Sequence, residues 1–342
     1  MIQAATCAIL TLLLLAGCGA ENIQRTTSRL ALGTTVSVTT WTHTRDASAW
    51  DRQEAEAVKA AFVEIERIEA QMSRHRPASL VSRINAHPGQ RHPISAELAD
   101  LLQLSWRFQE FTGGTFDVSL LPLTRLWGFS DDPPPSAPPA AAAIQNWLRQ
   151  RAPAPGWTLE RTPDGRAFLT LDQPGHGLDL GGIAKGYAMD RAADTLLDRG
   201  VVNFLLNAGG SIRTEGAKGD TPWSIGVRHP RRDQGVAAAI KVSGSLSLAT
   251  SGDYERAFIH QGQRYHHILD PTTGHPSRSG VVSVSIQASN GTLADGLSTG
   301  FFLLGVEKGK GLLEHFPGSS AFWVTESGTW GIHGDFIGEP RL

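Results

Sequence analysis

The chain has 342 residues, with 31 Lys or Arg against 33 Asp or Glu and a formal net charge of −2. Balanced charge argues against a nucleic-acid-binding surface. The two cysteines, Cys7 and Cys18, both precede the body of the chain, which excludes a disulfide framework and thiol catalysis there.

Taken in order, Ala8 to Ala16 is an apolar stretch too short to span a bilayer and suited to a signal h-region. No Lys or Arg precedes it. Leu15-Ala16-Gly17-Cys18 resembles a bacterial lipobox, so residues 1–17 are expected to be a removed signal and Cys18 a lipidated N-terminus. Residues 18–29 would be a tether and 30–342 one catalytic domain. The protein would then be a membrane-anchored lipoprotein on the periplasmic side of the bacterial cell envelope. After the signal roughly 325 residues remain, enough for one large body or two intertwined lobes with real cores.

Thr35–Trp41 reads as a strand. A long amphipathic helix follows, with Val58, Phe62, Ile65, Ile68 and Met72 as its buried stripe and Ser48 with Asp51 as its expected cap. Gly113-Gly114-Thr115-Phe116-Asp117 leads to Trp127 and Phe129; a flat ring system would find aromatic and small residues here, but Phe116, Trp127 and Phe129 read first as core. Asp131 to Ala143, rich in Pro and Ala, is expected to be an extended loop inserted within the domain. Further strand-like runs are Phe168–Asp172, Asn203–Asn207, Trp223–Val227, Ala238–Val242, Val281–Gln287 and Ala321–Val324. With four expected helices they suggest an α+β fold of layered mixed sheets and packed helices.

Three segments carry chemistry. Leu178 to Asp190 is a short apolar strand, the pair Gly181-Gly182, then a helix from Ala184 with Lys185 in its first turn. Paired glycines, free helix N–H groups and a lysine suit a phosphate cradle, although the spacing is not that of a Walker loop. A tight turn bearing a surface lysine is the alternative. In Leu293–Gly305, Asp295 and Thr299 stand one helical turn apart on one face. Two oxygen donors suit a hard cation such as Mg²⁺; a hydroxyl bonded into its own helix is the competing reading. His266 and His267 should point to opposite sides of a strand. A zinc site with His275 fits no common spacing, and one histidine as general base or phosphate contact is favoured, with the other tolerant of substitution.

The ordered set Leu32-Gly33-Thr34, Met72-Ser73…Ser79…Ile84-Asn85, Gly114-Thr115-Phe116-Asp117, Asp179-Leu180-Gly181-Gly182-Ile183-Ala184-Lys185-Gly186, Asn207-Ala208-Gly209-Gly210, Thr250-Ser251-Gly252-Asp253-Tyr254, His267 to Gly274 and Ala294-Asp295…Thr299 resembles the FAD:protein FMN transferases of the ApbE type. The resemblance runs from about Arg29 to Leu313. It implies an ApbE-like fold, a single catalytic body with an FAD and Mg²⁺ site between lobes. The implied reaction moves FMN from FAD to a threonine of an extracytoplasmic flavoprotein, such as a subunit of a membrane redox complex, and releases AMP. FAD pyrophosphatase activity, or non-catalytic flavin carriage by a maturation lipoprotein, are the implied alternatives. By position, the metal ligands would be the Gly182 carbonyl, Asp295 and Thr299. FAD contacts would be Leu32, His75, Thr115, Phe116, Asp117, Asp179, Lys185 and Ile268. His267 would be the base, acting with Asp295 and Lys185. The chain departs from the family at Leu32, His75 and Ser211, where Met, Tyr and Asp are usual.

Overall fold

In a computed structural model, residues 20–131, 133–151, 155–172 and 176–342 are described. The expected signal peptide and Cys18 lie outside them. Alternating burial draws the apolar runs into an eight-stranded sheet. Its spatial order is β1 (Glu21–Ala31), β2 (Thr34–Thr44), Phe204–Ala208, Ser211–Glu215, Leu246–Gly252, Val281–Ala288, Ser320–Thr325 and Trp330–His333. Each neighbouring pair is antiparallel, so the layered sheets expected from sequence are present without mixed ladders.

One face of this sheet carries the helices. The stripe Val58, Phe62, Ile65 and Ile68 of α1 (Ala47–Met72) shares a core with Val36, Val38 and Leu206 of the sheet. To the same core α6 (Ala184–Asp198) contributes Ala188, Ala192 and Leu196, and α7 (Gly291–Leu304) contributes Leu297 and Phe301. Full burial of each Val, Leu, Ile or Phe side chain among them stabilises by roughly 1.5–3 kcal/mol. The opposite face packs Ile212, Leu248 and Phe322 on Trp223, Ile225 and Ile240 of the small sheet Trp223–Arg228, Val236–Val242, Glu339–Pro340. The result is three layers, with helices on one side and a second sheet on the other.

Between α1 and α6 lie α2 (Leu80–Ala86), α3 (Ala96–Phe111), α4 (Leu121–Trp127) and α5 (Ala141–Gln150); α8 (Val306–Glu314) follows α7. Eight helices thus occur among the described residues where four were expected. Trp127 and Phe129 are core: with Ile144 and Trp147 of α5 they enclose Leu269, bracing the segment just past His267.

Several local expectations are corrected. The segment expected to be a tether is strand from Glu21 onward. The α1 cap is Asp46, which accepts from the Ala49 N–H at 2.8 Å, while Asp51 pairs instead with Arg25 at 2.6 Å. The inserted loop ends sooner than residue 143, because its last alanines enter α5 from Ala141.

Candidate functional site

The site starts from two glycines that let two helices touch. A Cβ on Gly186 of α6 would lie 2.0 Å from the Gly291 carbonyl oxygen of α7, an impossible contact, so only glycine permits this approach. One turn later on the same face of α6, the Asp190 carboxylate accepts from the Gly291 and Thr292 N–H groups at 2.7 and 2.8 Å and from the Thr292 hydroxyl at 2.6 Å. Asn290 adds a cap to Leu293 N–H at 2.8 Å. Orphan N–H groups at the start of α7 are therefore satisfied from α6.

This joint puts Asp295 opposite Lys185. Asp295 is buried and accepts from the Lys185 ammonium at 3.2 Å and from the Gly186 N–H at 3.0 Å. The ammonium also donates to the Gly181 carbonyl at 3.3 Å, so the lysine closes over the paired-glycine turn. Thr299 donates to the Asp295 carbonyl at 3.3 Å, which occupies its proton and leaves its oxygen as a donor atom. Ser251 lies 3.5 Å from the Thr299 hydroxyl, and a Cβ on Gly182 would stand 3.4 Å from it. Gly182 thus lies against the Thr299 hydroxyl, one helical turn from Asp295, and the Asp295 and Thr299 side chains carry oxygens of the type that Mg²⁺ selects. No group of three or more His, Cys, Asp and Glu suited to a metal occurs among the described residues.

Loops from four parts of the chain form the mouth. Leu32 and Gly33 occupy a two-residue turn with φ of +55° and +71°, the type I′ geometry of a tight hairpin. Glu69 of α1 holds it by accepting the Leu32 N–H at 3.1 Å. Arg74 pairs with Asp179 at 3.0 Å, and Asp179 accepts the Gly181 N–H at 3.1 Å, which fixes the glycine turn from outside. Ser130 accepts from both Arg74 and Arg256, and Arg256 reaches the Gly33 carbonyl at 3.5 Å. His75 sits at the rim; partial desolvation and then the Arg74 charge hold its imidazole below the usual histidine range.

His267 follows the strand Gln263–His266, with its N–H donated to the Arg256 carbonyl at 3.1 Å. Its Nδ1 is buried without a partner. Desolvation, reinforced by the charges of neighbouring His266, Arg256 and Lys185, pushes its pKa down to about 3. The ring is neutral at physiological pH. His266 turns the other way, hydrogen-bonding the Ser277 carbonyl at 3.1 Å and lying edge-on to Phe302, and burial lowers its pKa to about 4. His275 lies against Trp127, so the three histidines do not assemble a zinc site.

A family model described as the ApbE family matches residues 32–323. The chain belongs to the ApbE family. An FAD:protein FMN transferase of Vibrio cholerae is 34% identical over 309 residues, covering 90% of this chain and 89% of that protein. One of Treponema pallidum is 32% identical, with 78% of this chain and 76% of that protein covered. The crystal structure of an ApbE protein of Thermotoga maritima superposes with a TM-score of 0.77 at 33% identity, covering 90% of this chain and 96% of that one. The flavin transferase ApbE from Vibrio cholerae does so with the same TM-score at 29% identity, covering 92% and 97%.

Against the set implied by ApbE resemblance, the structure divides the residues. Leu32, His75, Asp179 and Lys185 lie along one run of contacts through Gly33, Arg256, Ser130, Arg74 and Gly181. Phe116 is buried beneath Gly182 and against Phe108, and Ile268 is buried in the main core. Thr115 is half-buried and donates to the Thr112 carbonyl at 3.1 Å. The Asp117 side chain has no exposure; it accepts from Ser119 at 2.7 Å and pairs with Arg151 at 2.5 Å, so its carboxylate is a brace and not a free contact. Asp253 likewise binds Arg231 through two 2.7 Å bonds, in a polar cleft of about 410 Å³ that also holds His266. Sequence reasoning missed Asp190, Arg74, Glu69 and Arg256. Only Asp190 had a readable signal, standing four residues after Gly186 and so on one helix face.

Proposed function

We propose that this protein is an FAD:protein FMN transferase that uses Mg²⁺, attaches FMN through a phosphoester to a threonine of an extracytoplasmic flavoprotein, and releases AMP. The observation that carries the reading is the buried Asp295 carboxylate, closed between Lys185 and the Gly186 N–H beside Thr299 and Gly182.

Mg²⁺ bound by Asp295, Thr299 and the Gly182 carbonyl would neutralise charge on the FAD diphosphate. Lys185 moves from Asp295 to the diphosphate and steadies the departing AMP phosphate. Leu32, His75 and Asp179 line the mouth where the flavin enters, and a neutral His75 ring suits stacking. His267, uncharged and with an unpartnered nitrogen, takes the proton of the threonine hydroxyl as its oxygen bonds the FMN phosphorus. The P–O bond to AMP breaks and AMP leaves with the bridging oxygen. A pKa of about 3 describes the site without substrate. The diphosphate would offset the Lys185 and Arg256 charges, the smaller contributions to that depression, while burial, the largest, stays in place.

Cys18 lipidation, signal removal and a membrane redox complex as the source of the acceptor complete the proposal, supported by the lipobox-like run. The test is incubation with FAD, Mg²⁺ and an extracytoplasmic flavoprotein domain. Covalent flavin fluorescence on the acceptor is expected, and FMN released only to water would replace transfer by hydrolysis.

A further inference from the structure

We propose that the outer edge of β1 is the docking strand for the acceptor, whose threonine-bearing segment adds to the sheet as an extended strand and is led into the site. The proposal rests on the transferase reading.

β1 is 11 residues long and ends the eight-stranded sheet, paired among the described residues with β2 alone. Its register is unbroken from Glu21 opposite Thr44 to Ala31 opposite Thr34. The two-residue turn makes Ala31 and Thr34 a hydrogen-bonded pair, and bonded pairs alternate from there. The Trp41 N–H confirms the phase: Trp41 faces Gln24, and its N–H points away from β1 to the Asn203 carbonyl at 2.9 Å. Asn22, Gln24, Thr26, Ser28 and Leu30 therefore aim their N–H and C=O groups outward, away from the sheet.

Edge strands are normally blunted by lysine, proline, a bulge or brevity. β1 is long and has no lysine, proline or bulge, and its charged Arg25 and Arg29 are drawn onto α1. Its other face is held on α1 through Arg25–Asp51 at 2.6 Å and Arg29–Glu66 at 3.5 Å, so the open edge is firmly presented. Leu30, at 87% exposure, is the most exposed large apolar side chain among the described residues. It stands at the end nearest the site.

That end is what selects the occupant. β1 runs directly into the Leu32–Gly33 turn, Arg256 bonds the Gly33 carbonyl, and the Arg256 carbonyl receives the His267 N–H. The open edge thus stops two contacts from the base. A protein acceptor must bring a main-chain segment to this point, and strand addition supplies main-chain affinity with little demand on side-chain identity.

The probe is an extracytoplasmic flavoprotein domain that the wild-type protein labels. On its addition, amide hydrogen exchange followed by NMR should slow at Asn22, Gln24, Thr26, Ser28 and Leu30, with the ladder amides Ile23, Arg25, Thr27 and Arg29 unchanged. Ser28→Pro, which deletes one outward N–H and no ladder bond, should raise the acceptor KM about tenfold or more; Ser28→Ala should not, and FAD affinity should hold in both. Unchanged exchange at the five amides, or equal KM in the two variants, overturns the proposal. Protection that grows with protein concentration without acceptor also overturns it, by giving the edge to a second copy. Failure of the wild type to label any threonine defeats the transferase reading itself, before a variant is made.

Discussion

Two adjacent histidines with opposite surroundings set the residue-scale chemistry. His267 keeps an unpartnered nitrogen, whereas His266 is spent on Ser277 and the core. His267→Ala is expected to leave FAD affinity near wild type and lower single-turnover transfer by about 10²–10⁴-fold. His266→Ala, expected from sequence to be tolerated, should instead lower stability by about 1–3 kcal/mol through lost buried hydrogen bonds, seen as a lower Tm. Both histidines also shape pH dependence. Their folded pKa values, about 3 and about 4, lie below the unfolded 6.5, so the unfolded chain binds more protons between these limits. Stability should therefore be fully present above about pH 6.5 and fall as pH drops towards 4. Thermal melts without ligand across that range check this, and His267→Ala should flatten the slope.

At the scale of elements, the joint between α6 and α7 carries the site. Gly186→Ala forces a methyl into the Gly291 carbonyl, and Asp190→Ala frees two N–H groups at the start of α7. Each should cost about 1–3 kcal/mol and weaken Mg²⁺ and FAD binding together, as calorimetry would show. Strands such as Val281–Ala288 and the α1 stripe were legible because their apolar residues repeat at the strand or helix period. β1 was not, since ENIQRTTSRLA carries almost no apolar signal and forms by pairing with β2. The short α4 and α5 were hidden by Pro122 and by a low-complexity run that changes to helix at Ala141. In the site, the glycine pair, Lys185, Asp295 and Thr299 were readable from local spacing. The partners that immobilise them were not: Arg74 meets Asp179 and Arg151 meets Asp117 across long stretches of chain, and no local pattern encodes such pairs. Asp117, an FAD contact by resemblance, is held by Arg151 in the same way.

For the whole molecule, one rigid sheet joins the expected anchor end of the chain at Glu21 to the mouth of the site at Leu32. No helix among the described residues is long and apolar enough to cross a membrane. On the proposed reading acyl chains on Cys18 are the attachment, and Cys18→Ser is expected to move the protein from membrane to soluble fractions on cell fractionation. The central claim is that Asp295, set against Lys185 by the α6–α7 joint, organises phosphoryl transfer from FAD to a protein threonine. Mass spectrometry of an acceptor domain after incubation with FAD, Mg²⁺ and either wild type or Asp295→Ala tests it most directly. The wild type should add one FMN to a single threonine and release an equal amount of AMP. The folded Asp295→Ala variant should be slower by about 10³-fold or more, the several kcal/mol of transition-state charge stabilisation at stake. Labelling by folded Asp295→Ala at the wild-type rate would contradict the account.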